Sequence, residues 1–151
     1  MQDQSTDEID VIEVLEMLDQ PCSIRMEYSP HRLEQIRRIV GARLRCWGLH
    51  KLVYDTSFVA TELCSNVRHC DDSTFEFAIG RIAKGVRLEV TDTSTELVAI
   101  PTEPPDFLET GGRGLFLVSA YASAVGVLPT PTGKVVWAEL VLADVESGGA
   151  D

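Results

Sequence analysis

The chain has 151 residues, 44% of them hydrophobic, with 24 acidic side chains against 13 basic ones and a formal charge of −11. A chain of this length buries roughly 68–70% of its unfolded surface and holds one ordinary core without staples. So negative a surface repels phosphate backbones and anionic lipid, which argues against nucleic acid and membrane surfaces as partners.

The first 20 residues are acidic and polar apart from the stretch Ile9–Leu18, which suits either a short amphipathic helix that docks on a partner or a frayed extension. They lack the basic and apolar regions of a signal peptide, and no later apolar run reaches the ~20 residues of a membrane helix, so the expected location is cytoplasmic. Residues 1–20 and 144–151 read as tails around one domain, 21–143. Alternation from Cys22 to Tyr28 predicts a strand. Ser29-Pro30 then supplies a cap and a first helical position for a helix through Trp47, which Gly48 stops. A second helix is expected from Leu52 to His69, followed by an antiparallel hairpin of Thr74–Ile82 and Val86–Thr91 turning at Ala83-Lys84-Gly85. Residues 94–112, rich in Pro, Thr, Glu and Gly, read as a loop. Gly114–Val125 reads helical, and Val127-Leu128 and Val135–Leu142 read as closing strands, with no internal repeat. The cysteines at 22, 46, 64 and 70 form no CxxC pair and read as free thiols, and His69 with Cys70 lacks the further ligands a zinc site requires.

Three short segments carry candidate chemistry. In the second helix, Leu52, Thr56, Val59, Leu63 and Val67 form a stripe at helical spacing that should face the core. Glu62, Asn66 and His69 then share one shoulder of the helix, at i, i+4 and i+7. A carboxylate there can take a proton from a nucleophile, and a carboxamide oxygen four residues on can ligate magnesium, a hard ion that prefers oxygen. Taken alone, Glu62 and Asn66 are as well explained as solvated surface groups, and His69 as a C-terminal residue favoured by the helix dipole. The strand Val86–Asp92 delivers Asp92 to its end, where an ionised carboxylate can accept from the exocyclic amine of adenine and would confront the carbonyl of guanine; an ordinary Asp-Thr-Ser turn is the plainer alternative. Gly112-Arg113-Gly114-Leu115 opens a helix, so its backbone amides make an anion site. No Lys-Ser/Thr pair follows the glycines and no strand directly precedes them, which separates this loop from P-loops and dinucleotide loops. The Pro101–Thr110 stretch before it has the length of a lid.

Taken together, these segments resemble the GHKL ATPases, which include DNA gyrase, sensor histidine kinases and heat-shock chaperones, and among them the small bacterial anti-sigma-factor serine/threonine kinases. Glu62–His69 looks like their N box, Glu89–Ser94 like their adenine box, Gly112–Leu115 like their glycine box and Lys134–Trp137 like their closing strand. The likeness covers about residues 22–142. It implies an α+β fold, a two-layer α/β sandwich of Bergerat type with a mostly antiparallel sheet covered on one face by helices. It implies ATP and Mg²⁺ as cofactors, with Glu62 as the base, Asn66 as magnesium ligand and Asp92 as adenine reader. His69, Ser94, Gly112, Arg113, Gly114 and Leu115 complete the implied nucleotide contacts, with Arg113 equally placed to meet a partner protein. Ser94 stands where the resembling D-x-G pattern has glycine, so a side chain lies where adenine would approach. The implied partners are a sigma factor and a STAS-type anti-sigma-factor antagonist, with a homodimer as a further possibility. The other functional class consistent with the residues is a non-catalytic ATP-binding module that regulates partners by sequestration.

Overall fold

A computed structural model of the chain describes residues 20–69, 74–95, 100 and 113–143. The Ile9–Leu18 stretch, Cys70, Gly112 and most of the expected 94–112 loop lie outside the described residues, as do the side chains of Arg68, His69 and Arg113.

Strand β1 (Cys22–Glu27) leads into helix α1 (Pro30–Cys46), whose start is set by Ser29: its hydroxyl accepts from the Arg32 amide at 3.2 Å, and Pro30 fills the first turn at a position that needs no donor. The helix ends where Gly48 takes a positive φ of 73°. A 3₁₀ turn (His50–Leu52) precedes helix α2 (Val53–Ser65), and a second 3₁₀ turn (Asn66–His69) follows it, so the expected second helix is present with tightened ends. The hairpin pairs β2 (Thr74–Ile82) with β3 (Gly85–Asp92) antiparallel, turning on Ala83 and Lys84, with Gly85 already in the strand.

Helix α3 spans Arg113–Tyr121, shorter than the expected Gly114–Val125. Strand pairing is the reason: Ser123 donates its amide to the Glu139 carbonyl, and Ala124 and Val125 already lie opposite Glu139 and Ala138. The β-branched valines at 125 and 127 favour that ladder over another helical turn. Strands β4 (Ala124–Thr130) and β5 (Gly133–Val141) complete a five-stranded, fully antiparallel sheet in the order β1-β2-β3-β5-β4. Pro129 is tolerated because β4 is an edge.

One face of the sheet is buried. Phe75, Phe77 and Ile79 of β2, Val86, Leu88 and Val90 of β3, and Val136, Ala138 and Leu140 of β5 alternate inward to meet Ile36, Val40 and Leu44 of α1, Val59 and Leu63 of α2, and Leu115 and Val118 of α3. The result is the expected α+β two-layer sandwich. Each large apolar side chain so buried contributes about 1.5–3 kcal/mol, which makes this face the main source of stability. On the opposite face Arg87 stacks 4.4 Å from the Trp137 ring centroid and bridges Glu89 at 3.0 Å and Glu139 at 2.9 Å. Burial opposes its charge, but hydrogen bonds to the two glutamates prevail and raise its pKa. Such half-exposed pairs are worth about 0.2–1 kcal/mol each, well below the core terms. Among the described residues no helix is long and apolar enough to cross a membrane.

Helix α2 is the central helix, packed against α1 and α3 and touching β3 and β5. Its stripe of Leu52, Thr56, Val59, Leu63 and Val67 is buried, as the spacing predicts. Thr56 is the polar member, and its buried hydroxyl has no hydrogen-bond partner among the described residues. Leaving such a group unpaired costs about 1–3 kcal/mol, so Thr56→Val should raise stability by about 1 kcal/mol in urea denaturation. A loss of stability would mean that the hydroxyl is paired.

Candidate functional site

The buried stripe fixes the rotation of α2, and Glu62 emerges beside it one turn before the helix ends. Asn66, four residues on, is the C-cap residue and opens the following 3₁₀ turn. Its Nδ2 is buried without a hydrogen-bond partner among the described residues. An orphaned buried amide is costly and is the kind of group a ligand satisfies. Turning the amide about χ2 exchanges nitrogen for oxygen, so the same position can donate to a phosphate or present an oxygen to a cation.

Helix α3 meets this shoulder with its first turn. A Cβ placed on Gly114 would lie 2.5 Å from Glu62 Oε2 and 3.6 Å from its Cδ, so only glycine lets the helix start come this close to the carboxylate. The two segments, 52 residues apart in sequence, therefore form one locus: a helix N-terminus beside a carboxylate, with a carboxamide whose Nδ2 has no partner among the described residues one turn further along α2. Leu115 is 2% exposed and belongs to the core, so any contact it makes with a ligand runs through its backbone.

Asp92 occupies the end of β3, where the register sets it opposite Lys134 of β5. Both point inward, 6% and 4% exposed, and Lys134 Nζ donates to Asp92 Oδ1 at 3.0 Å. The same oxygen accepts the Ser94 amide at 2.9 Å, which closes the turn after the strand. Gly133 allows the approach: a Cβ there would collide with the Asp92 carbonyl oxygen and come within 2.7 Å of Thr93 Cα. Sequence reasoning assigned Lys134 to the closing strand without a role. The missing signal is its phase: Lys134 is in step with Val136, Ala138 and Leu140, as Asp92 is with Val86, Leu88 and Val90, so two opposite charges are aimed inward from neighbouring strands.

Removing one partner of a buried pair strands the other charge, whereas replacing both with apolar groups is often neutral or better. Lys134→Met should therefore cost about 3–5 kcal/mol in chemical denaturation, and Lys134→Met with Asp92→Leu should recover most of it. Additive losses in the double variant would show that the two groups are not coupled.

Of the residues singled out from sequence, Glu62, Asn66 and Gly114 come together around the end of α2, and Asp92 and Ser94 form the turn at the end of β3. Gly112 and the side chains of His69 and Arg113 fall outside the described residues. Cys64, within the same helical segment, is fully buried, and burial pushes its thiol pKa up, so it is a packing residue and not a nucleophile. Cys22 and Cys46 are free thiols. Among the described residues no three His, Cys, Asp or Glu side chains cluster to hold a metal, so a cation here would need oxygens from its ligand in addition to Asn66. That donor set suits magnesium, which keeps few protein ligands and binds with phosphates.

A helix-covered antiparallel sheet with a carboxylate and carboxamide beside a glycine-started helix, and an acid at a strand end, defines the class of nucleotide-binding sandwich that the sequence resembles. The family model of the histidine kinase-like ATPase domain matches residues 26–140, and the chain belongs to that family. No curated protein matches the sequence significantly. Among solved structures, a chain from "The crystal structure of SiaB-SiaC complex from Pseudomonas aeruginosa" is similar in fold, with a TM-score of 0.56 at 16% identity over 89% of this chain and 99% of that one.

Proposed function

We propose that the chain is an ATP-dependent serine/threonine protein kinase of the anti-sigma-factor branch, which phosphorylates a STAS-type antagonist and sequesters a sigma factor when the antagonist is not engaged. The observation that carries this reading is the contact between Gly114 and Glu62, which brings the amides of a helix start against a carboxylate able to serve as base. Glu62 accepts the proton of a serine or threonine hydroxyl as its oxygen bonds to the γ-phosphorus and the bond to the departing ADP oxygen breaks, while the amides at the start of α3 and Arg113 receive the nucleotide phosphates. Asn66 would hold magnesium through its side-chain oxygen, and the ion would supply neutralisation of charge on the phosphates. Asp92 has Oδ1 engaged by Lys134 and Ser94, so the adenine amine is received at Oδ2. The net charge of −11 suits a basic partner such as a sigma factor, and a fold relative solved in a two-protein complex favours action on a partner protein.

A second reading, a non-catalytic module that binds ATP and acts by sequestration, is favoured by Ser94, which stands in place of the glycine of the family pattern two residues after Asp92, the proposed adenine reader.

Calorimetry and phosphoryl transfer separate the readings. Asn66→Ala should weaken MgATP far more than metal-free ADP. Glu62→Gln should keep nucleotide and partner affinity and lose transfer by about 10²- to 10⁴-fold, the range of a positioned general base. Wild-type protein that binds MgATP but labels no antagonist would select the second reading, and failure to bind MgATP would remove both.

A further inference from the structure

The acidic N-terminal stretch lies outside the described residues, and the fold holds a feature that matches its sequence. A groove of about 380 Å³ lies between β1 and α1, floored by Ile24, Met26 and Ile39 and rimmed by Arg25, Arg32 and Arg38. The charge there runs against the rest of the molecule. In a chain of net charge −11, α1 alone carries five of the 13 basic side chains, Arg32, Arg37, Arg38, Arg43 and Arg45, and Glu34 is its one acid. Residues 1–19 are the complement, with seven acids, Asp3, Asp7, Glu8, Asp10, Glu13, Glu16 and Asp19, and no basic residue.

We infer that residues 9–18 of this chain dock in the groove between β1 and α1, with their apolar side chains on its floor and their carboxylates against its arginine rim. Chain position supports this occupant. The segment ends three residues before β1, which is an edge strand and forms one wall of the groove. Doubling back through Asp19-Gln20-Pro21 lays it antiparallel to β1. As a helix, ten residues extend roughly 15 Å, against roughly 20 Å for the six residues of β1, so the two run alongside each other. In that form Val11, Val14, Leu15 and Leu18 share one stripe, at i, i+3, i+4 and i+7, flanked by Glu8 and Asp10. The apolar stripe meets Ile24, Met26 and Ile39, and the flanking acids reach the exposed arginines of the rim, of which Arg38 also pairs with Glu34 at 3.1 Å. Docking of this kind covers the edge of β1 that is unpaired among the described residues and occupies a face that an acidic partner would otherwise use. It is independent of the nucleotide site, which lies at the other end of the helical layer's sequence, on α2 and α3.

The test places a photo-crosslinking benzoylphenylalanine at Leu15 in the full chain and maps adducts by mass spectrometry, using a mixture of isotopically light and heavy protein. The inference predicts adducts within single chains, to peptides containing residues 24–26 or 32–39. Arg32→Glu with Arg38→Glu should cut their yield by about tenfold, the scale that two rim charge pairs allow. Val11→Asp with Leu18→Asp, which alters no residue of the folded layers, should do the same. Adducts only between light and heavy chains would assign the groove to a second copy and overturn the inference. So would adducts that avoid the groove, or groove adducts that both sets of substitutions leave unchanged.

Discussion

The ammonium of Lys134 and the carboxylate of Asp92 face each other from β5 and β3, almost wholly out of water. Desolvating two such ions costs several kcal/mol each, and their attraction offsets this only if the geometry is held closely. The surrounding sheet holds it. Asp92 ends the inward row Val86, Leu88, Val90, and Lys134 begins the row Val136, Ala138, Leu140, so a one-residue slip of β5 would turn its apolar row and the lysine to the open face together. Apolar alternation and the ion pair thus specify the same register. Gly133 lets the backbone after β3 close down on the pair. The strand end that carries Asp92 is therefore one of the most constrained points of the sheet.

The second constraint is helix α2. Its buried stripe sets its rotation, and that rotation decides that Glu62 points toward α3 instead of into the core. Phe58 in the middle of α2 and Tyr121 at the end of α3, with ring centroids 5.1 Å apart, tie the two helices together, while Gly114 lets the start of α3 touch the carboxylate near the end of α2. The site combines one rigid group set by the sheet with one set by helix packing. Asn66 Nδ2, which has no hydrogen-bond partner among the described residues where the helix tightens to a 3₁₀ turn, is where the fold tolerates a local cost beside Glu62.

Much of this was legible in the sequence because the signals were local and redundant. Ser29-Pro30 marks a helix start by capping chemistry, the Leu52–Val67 stripe by period, and the 74–92 hairpin by alternation on either side of a short turn. The end of α3 was not legible: Leu115–Val118 and the following small residues suit a helix, and only the pairing of Ala124 and Val125 with β5, a tertiary fact, stops it at Tyr121. The role of Lys134 was missed for a related reason. A lysine in a strand reads as solvated until its phase with its apolar neighbours and the opposite Asp92 are considered together. The nearness of Gly114 to Glu62 depends on how α3 docks on α2, which neither segment encodes alone.

The central claim is that one ligand, MgATP, bridges the end of α2, the start of α3 and the end of β3. The most direct measurement is a titration of the isotope-labelled full chain with MgATP, followed by backbone amide NMR. The account predicts saturable shifts at the amides of Asn66, Gly114 and Ser94, with the open sheet face around Arg87 and Glu139 unmoved. Saturation without shifts at those three positions, or shifts confined to the groove between β1 and α1, would contradict it.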